Sequence, residues 1–213
     1  MDDLGAEFPA LPIAGMPVFT SGGDWPNTAN TTKAWILDSW DHYADGYRSA
    51  ADQLVDDIVE RRLRRLDAVV YPLVYLYRHY LELRLKQLIP LTGRYLYLDQ
   101  EFPARHDLLL MWDTLRPRLE HGWEGLPSAV IEAQLREFER WDRDSYAFRY
   151  PEDKRGKPNL VGLDQIDVRH LKEVVARLST VFDTVAFGIG AMLDLRDDVE
   201  AELQNYYATW DRC

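Results

Sequence analysis

The sequence has almost no cysteine: among its 213 residues the only one is Cys213. A single thiol cannot form a disulfide within the chain or supply a cysteine-based zinc site. Basic residues are also outnumbered, since 25 Lys and Arg stand against 36 Asp and Glu, giving a net charge of −11 at pH 7. Such a charge repels phosphate backbones, so we do not expect broad non-specific binding of nucleic acid. A local basic groove remains compatible with it.

A basic leader and a long apolar run are also missing. The chain starts with Met1-Asp2-Asp3, which is acidic where the first part of a signal peptide is basic. No stretch approaches the roughly 18 apolar residues that a helix needs to cross a bilayer. We therefore predict a cytoplasmic protein that does not interact with a membrane.

The standard catalytic motifs are missing as well. The sequence contains no phosphate-binding G-x-x-x-x-G-K loop and no G-x-S-x-G nucleophile turn. A di-iron bundle requires Glu-x-x-His pairs, whereas His79-x-x-Glu82 has the reverse order. We therefore predict no metal ion and no cofactor.

The sequence does have many apolar residues in helical patterns. Apolar residues make up 46% of the chain and aromatic residues 12%, enough for a sizeable core. The clearest series, with spacings of three and four, is Leu171, Val174, Leu178, Val181, Val185, Ile189 and Met192. We predict an all-α protein, a single helical bundle of four to five main helices that occupies residues 32–213.

Capping and breaking residues predict where these helices begin and end. The first helix ends in the basic run 61–65, Asp67 caps the second, and Pro90 and Gly93 end it. Further helices are predicted at about 106–119, at about 128–144 and from Asp167 onward, followed by an acidic helix at about 197–207 that is either separate or a continuation. Residues 149–163 form a polar loop.

Residues 1–31 differ in composition from the rest of the chain. Four prolines and four glycines fall between residues 5 and 26, so this stretch cannot hold a helix. Its apolar members, among them Phe8 and Trp25, suggest an extended arm that lies against the domain or a partner. A loose leader is the alternative, since chain termini are commonly disordered.

Charged residues on the second helix stand out because this helix is otherwise apolar. Arg78, Glu82 and Lys86 follow one another at four-residue spacing, and His79 lies beside them. Such charges must pair, reach solvent or line a cleft, because burying an unpaired charge is costly. The simplest alternative to a site is an exposed ladder of Arg-Glu-Lys pairs.

More polar residues cluster where the fourth helix ends and the third begins. They are Asp142, Ser145, Arg149 and Tyr150, together with His106. Arg149 and Lys86 would suit a phosphate, and Tyr150 would suit stacking on a base. Alternatively, Ser145 and Arg149 satisfy the last carbonyls of the helix. If Asp142 instead pairs with Arg149, the cleft is a salt-bridge network without a ligand.

Three segments resemble a bacterial branch of the HEPN-like helical proteins. They are the run from Tyr71 to Lys86, the stretch Arg105-His-Asp-Leu108, and Asp142-x-x-Ser145 leading into Phe148-Arg-Tyr-Pro151. The resemblance implies a helical bundle that often forms dimers, and a link with RNA cleavage or with toxin and defence systems.

The resemblance also implies what a nuclease member would require. Members that cleave RNA use an Arg, a short polar-led spacer and a His, with two copies facing each other across the dimer. Here Arg116 and His121 are the only pair with that spacing, and Pro117 follows the Arg where the family usually has Asn, Asp or His. The family nuclease motif is therefore not intact.

We accordingly predict a HEPN-like homodimer, in a toxin, defence or regulatory context, that binds RNA, a nucleotide or a protein partner. One alternative is a metal-independent ribonuclease that uses Arg78 and His79, or Arg116 and His121, in acid–base roles. Another is a structural or antitoxin-like interaction protein. The candidate site joins the catalytic candidates Arg78 and His79 to the binding candidates Glu82, Lys86, His106, Asp142, Ser145, Arg149 and Tyr150.

Overall fold

A computed structural model describes residues 39–62 and 65–210, together with a few isolated positions before residue 39. The predicted arm at 1–31 therefore lies largely outside the described residues, as do Cys213 and the middle of the basic run 61–65. Two units, Met1–Leu37 and Asp38–Cys213, divide the chain. The description below concerns the second unit.

Five α-helices form the described part of this unit. They are α1 (Ser39–Val59), α2 (Leu66–Leu96), α3 (Leu108–Gly122), α4 (Ser128–Asp142) and α5 (Val168–Trp210). The described residues contain no strand, and the one β-type pairing among them is an isolated bridge between Glu152 and Pro158. The predicted all-α class with four to five main helices is confirmed.

α2 is the central helix of the bundle. α1, α3 and α5 all pack against it, while α4 packs against α3. Because neighbours surround it, α2 buries side chains on several sides, among them Tyr80, Leu81, Leu83 and Leu85. This explains why its sequence shows apolar residues in almost every direction rather than one stripe.

The predicted end of α2 at Pro90 and Gly93 is wrong, because the helix continues to Leu96. The helix closes at Tyr97, which has a left-handed φ of 56° and donates its N–H to the carbonyl of Gly93. A Cβ at Gly93 would collide with the backbone carbonyl of Asp99, which passes directly over it. Glycine at this position therefore admits a close approach of the returning chain and does not end the helix.

Of the two predicted helix caps, one is wrong and one is correct. Asp67 does not cap α2, because Arg65 occupies the cap position and makes no side-chain hydrogen bond there. Asp167 does cap α5, since its carboxylate accepts a hydrogen bond from the His170 N–H at 3.1 Å. Asp107 likewise caps α3.

α5 is one helix of 43 residues, so the acidic segment at 197–207 is its continuation. The predicted apolar stripe is only partly buried. Leu178, Val185 and Ile189 lie in the core, whereas Met192 is 55% exposed. The described side chains of residues 197–208 are all exposed, so this end of α5 does not pack within the described bundle.

α5 is also long and apolar enough to cross a membrane, judged by length and composition alone. Its most apolar window has a mean hydropathy of 1.4, and 33% of that window is buried in the bundle. The prediction that no stretch approaches a membrane span therefore does not hold for this helix. Core helices of soluble proteins have the same properties, and the cytoplasmic location stays a prediction.

We expect Gly93→Ala to lower the free energy of unfolding by at least about 1 kcal/mol, because the new methyl group meets the Asp99 carbonyl and strain outweighs the higher helix propensity of alanine. Gly46→Ala is the matched control. Gly46 lies in α1 with no atom within 4 Å of an added Cβ, so alanine should raise stability by about 0.5–1 kcal/mol. Urea unfolding measures both, and stabilisation by both substitutions would contradict the close approach.

Candidate functional site

The guanidinium of Arg78 is fully buried at the middle of α2. Its partners come from α2, the start of α3 and the end of α4. It donates to the carbonyls of Asp142 (2.7 Å), His106 (2.5 Å) and Arg143 (2.9 Å), and to the carboxylates of Glu82 (3.2 Å) and Glu139 (3.3 Å). All three nitrogens are thus engaged by the protein itself.

Glu82 is the second centre of this cluster. Its Oε1 accepts hydrogen bonds from Lys86 Nζ at 2.6 Å and from His106 Nδ1 at 2.8 Å, while Oε2 faces Arg78. Burial by itself raises the pKa of Glu82, but the hydrogen bonds from Lys86 and His106 outweigh it and lower the pKa below its usual value. Glu82 is therefore a carboxylate that holds three cationic or polar groups together.

Glu139, on α4, has the opposite protonation behaviour. Its Oε1 accepts the backbone N–H of Leu108 at 2.7 Å, which joins α4 to the first turn of α3. Burial raises the pKa of Glu139 to about 7, although the Leu108 N–H and Arg78 favour the charged form. Two neighbouring carboxylates with opposite pKa shifts are typical of acid–base sites, but here both are buried.

Asp142 shapes the turn after α4. Its Oδ1 accepts the backbone N–H groups of Tyr146 and Ala147, the latter at 2.7 Å. Its Oδ2 is buried without a hydrogen bond and lies 3.8 Å from Arg78 Nε. Ser145, also buried, takes a left-handed φ of 56° in this turn. The alternative that Asp142 pairs with Arg149 is therefore wrong.

We call Arg78, Glu82, Lys86, His106, Glu139 and Asp142 the Arg78 network. The predicted alternative, an exposed ladder of Arg-Glu-Lys pairs, is wrong about exposure, because Arg78 and Glu82 are both 0% exposed. Five of the nine predicted site residues, Arg78, Glu82, Lys86, His106 and Asp142, do converge, but on a closed set of ion pairs and hydrogen bonds instead of an open cleft. Only the rim of the network reaches solvent, mainly through the exposed side chain of His106.

His79, although next in sequence, has different neighbours from Arg78. Its half-buried ring lies edge-on to Tyr47, with centroids 4.4 Å apart, and parallel to Tyr75 at 5.6 Å. Burial lowers the pKa of His79, so its imidazole is neutral at pH 7. The two predicted catalytic side chains therefore do not share one reaction centre.

Arg116 and His121, the two residues with the nuclease spacing, also have different surroundings from each other. Arg116 Nη1 donates to Glu132 on α4 at 2.7 Å, so its guanidinium joins two helices. His121 is exposed in the last turn of α3.

Arg149 belongs to an aromatic surface next to the Arg78 network. Its guanidinium carbon lies 5.5 Å from the ring centre of Tyr75 and 5.7 Å from that of Tyr150. Its Nε donates to the carbonyl of Ser145 at 2.5 Å, which lies three residues beyond the end of α4 and not in its last turn, where one sequence alternative placed the acceptor. Tyr150 stacks in turn on Tyr146 at 4.4 Å.

A cleft of about 950 Å³ opens beside Arg149 and Tyr150, between the start of α2 and the α4–α5 connection. We call it the tyrosine cleft, because Tyr71 and Tyr150, both 48% exposed, line it. Phe148, Leu163 and Ile166 also line it and continue into a smaller pocket of about 270 Å³. Its charged lining residues are Arg149, Asp67, Asp164 and Asp167.

Tertiary contacts bring to the site further residues that no pattern in the sequence had marked. Glu139 was not singled out, although it lies four residues after the buried Leu135 and so on the apolar side of α4. Tyr71 was noted only as part of the HEPN-like run, and Asp164 was given no role. No periodic signal marks a loop residue such as Asp164 as part of a cleft.

A second buried arginine, Arg84, was also missed. It is 3% exposed and donates to Asp45 at 2.9 Å and to Gln87 at 2.8 Å, and it pairs with Asp41 and with Asp183 on α5. It ties α2 to α1 and α5, on the side of the helix away from α3. A charged residue in an apolar run was the available signal.

The described residues include no group of three or more His, Cys, Asp or Glu side chains that could hold a metal ion. No family model matches the chain, and no curated protein or solved structure is significantly similar to it. The HEPN-like resemblance therefore stays a prediction.

We expect Arg78→Met to lower the free energy of unfolding by about 3–5 kcal/mol, because it leaves Glu82 and the backbone carbonyls buried without their donor. Arg136→Met is the control, since Arg136 is 63% exposed in its pairing with Glu132 and should cost less than about 0.5 kcal/mol. Denaturant unfolding measures both. Equal, small losses would show that the Arg78 network contributes little.

The raised pKa of Glu139 predicts a pH dependence of stability. Its folded pKa of about 7 exceeds the unfolded value of 4.5, so the folded state binds the extra proton between these values. This contribution is fully present below pH 4.5 and is lost as pH rises towards 7. We expect Glu139→Gln to flatten the decline of stability between pH 5 and 7. Glu137→Gln, on the exposed side of α4, should leave the profile unchanged, and a similar profile for both variants would contradict the assignment.

Proposed function

We propose that this chain is a non-catalytic HEPN-like helical module that binds a polypeptide partner in the tyrosine cleft. The observation that carries the proposal is the full burial of the Arg78 guanidinium, with every nitrogen donating to the protein. A catalytic arginine must reach a phosphate group in the transition state. Arg78 would have to break five hydrogen bonds to do so.

The state of His79 supports the same conclusion. A general base must lie within hydrogen-bond reach of the proton that it removes. The His79 ring is covered on two sides by Tyr47 and Tyr75, and its pKa is lowered by burial. Its position therefore suits packing in the aromatic surface better than proton transfer to an RNA hydroxyl.

The lining of the tyrosine cleft favours a polypeptide over a nucleic acid. Every RNA phosphate has the same sign, whereas the charged residues here are Arg149 against Asp67, Asp164 and Asp167. Asp167 is partly engaged as the α5 cap. Asp67 and Asp164 therefore supply the negative charge of the cleft, and Arg149 supplies the positive charge. A peptide carries both signs and apolar side chains, which match the apolar floor and the two half-exposed tyrosines.

Random-peptide display on the purified chain tests this proposal without a known partner. Clones are selected on the wild type alone, and each enriched peptide is then measured on the wild type and on the double variant Tyr71→Ala/Tyr150→Ala. We expect enriched peptides that bind the wild type at least tenfold more tightly than the variant, because both tyrosines line the cleft. Tyr43→Ala, which removes a 52% exposed tyrosine from α1, is the matched control and should not change binding.

The same preparations are mixed with labelled single-stranded RNA and with a labelled nucleotide. The proposal expects neither binding at micromolar protein nor cleavage. Micromolar RNA binding that Arg149→Glu abolishes would favour a nucleic-acid ligand for this cleft. A peptide affinity that the tyrosine substitutions leave unchanged would place the binding surface elsewhere.

A further inference from the structure

The C-terminal half of α5 carries an apolar stripe that the described bundle does not cover. Its members are Met192 (55% exposed), Leu195 (60%), Val199 (47%) and Leu203 (49%). Their spacing of three, four and four residues places them along one side of the helix over about 16 Å. Four large apolar residues aligned in this way form a continuous surface rather than scattered exposure.

This stripe is distinct from the side of α5 that packs on α2. The packed side runs through Ile189 and Leu193 to Arg196. Arg196 donates to the Arg94 carbonyl at 3.2 Å and lies 4.7 Å from the ring centre of Tyr97. At about 100° per residue, the stripe lies roughly a quarter turn away from this packed side. The stripe therefore faces outward, while contacts on the neighbouring packed side hold α5 in place.

The charges around the stripe are strongly acidic. Residues 194–203 contain five acids against one base, Arg196. Asp197 pairs with Arg94 on α2, and the other four acids are exposed. At about 100° per residue, Asp198 and Glu202 follow one border of the stripe, and Glu200 lies on the other side, beyond Arg196. A partner that covers the stripe therefore meets negative charge on both sides, most of it on the side of Asp198 and Glu202.

We propose that this stripe binds an amphipathic helix of another protein, one in which Lys or Arg residues flank an apolar face. Helical spacing on one side selects a helix as the natural counterpart, since side chains at three- and four-residue intervals interdigitate with a second helix. The acidic borders select a basic partner. A second copy of this chain fits less well, because each copy carries a net charge of −11 and brings the same acids to the contact.

This surface is independent of the tyrosine cleft, which lies at the start of α2 and the α4–α5 connection. The two proposals can therefore fail separately. Loss of the tyrosines Tyr71 and Tyr150 should leave binding at α5 unchanged.

Two designed 21-residue helical peptides test the proposal directly. Both carry the same leucine stripe, and one has Lys while the other has Glu at the flanking positions. Fluorescence anisotropy against the full chain should show at least tenfold tighter binding of the Lys peptide, with the affinity falling as salt is added.

Uncharged substitutions separate the apolar contribution from the electrostatic one. Leu195→Gln/Leu203→Gln should weaken binding of the Lys peptide at least tenfold with the net charge unchanged. Val130→Gln/Val161→Gln, which alters two exposed valines on α4 and in the α4–α5 connection, should leave binding intact. Circular dichroism confirms that each variant remains folded.

Three kinds of result would overturn the proposal. One is the absence of the expected difference in peptide binding, either between the two peptides or between the wild type and the Leu195→Gln/Leu203→Gln variant. Another is a wild-type dimer in light scattering that the same leucine substitutions convert to a monomer, which would make a second copy the occupant. The third is partition of the chain into lipid vesicles through these leucines, which would assign the stripe to a membrane.

Discussion

The burial of one guanidinium, that of Arg78, is the interaction on which the arrangement of this bundle depends. A buried cation is costly to desolvate, so its position is tolerated only where acceptors surround it. Those acceptors are backbone carbonyls of His106 and Asp142 and the carboxylates of Glu82 and Glu139. They fix the start of α3 and the end of α4 against α2. Arginine suits this role because its planar fork serves several acceptors at once.

Arg84 has the matching role towards the other helices. It lies six residues further along α2 and pairs with Asp45 on α1 and Asp183 on α5. Arg48 on α1 also pairs with Asp183, at 3.3 Å. Arg78 thus joins α2 to α3 and α4, and Arg84 joins α2 to α1 and α5. Such networks add little net stability over a well-packed apolar core, but they permit few alternative arrangements of the helices.

Local signals in the sequence predicted the helices and some of their ends. Apolar periodicity and the cap Asp167 depend on residues that are close in the sequence, so they can be found without the fold. The end of α2 could not be found in this way. Gly93 signals a helix end locally, but its role is to admit the chain at Asp99, a contact that only the tertiary structure creates.

The same distinction applies to the candidate site. Charges in an apolar helix marked Arg78 and Glu82 as unusual, and this was correct. Whether they face a cleft or each other depends on Glu139, which α4 contributes from 61 residues away. Arg149 and Tyr150 do line a cleft, but its other walls come from Tyr71 and Asp164, which no short motif connects to them.

Hydrogen exchange of the Arg78 side chain tests the account most directly. Nitrogen-15 NMR resolves the arginine Nε–H signals, and Arg78→Lys identifies the one in question. The account predicts that the Arg78 Nε–H, which donates to the Asp142 carbonyl at 2.7 Å, exchanges orders of magnitude more slowly than that of the exposed Arg136. The signal should also stay in place when RNA is added. Exchange as fast as that of Arg136, or a shift on adding RNA, would show that the guanidinium is open to ligands and would contradict a structural role.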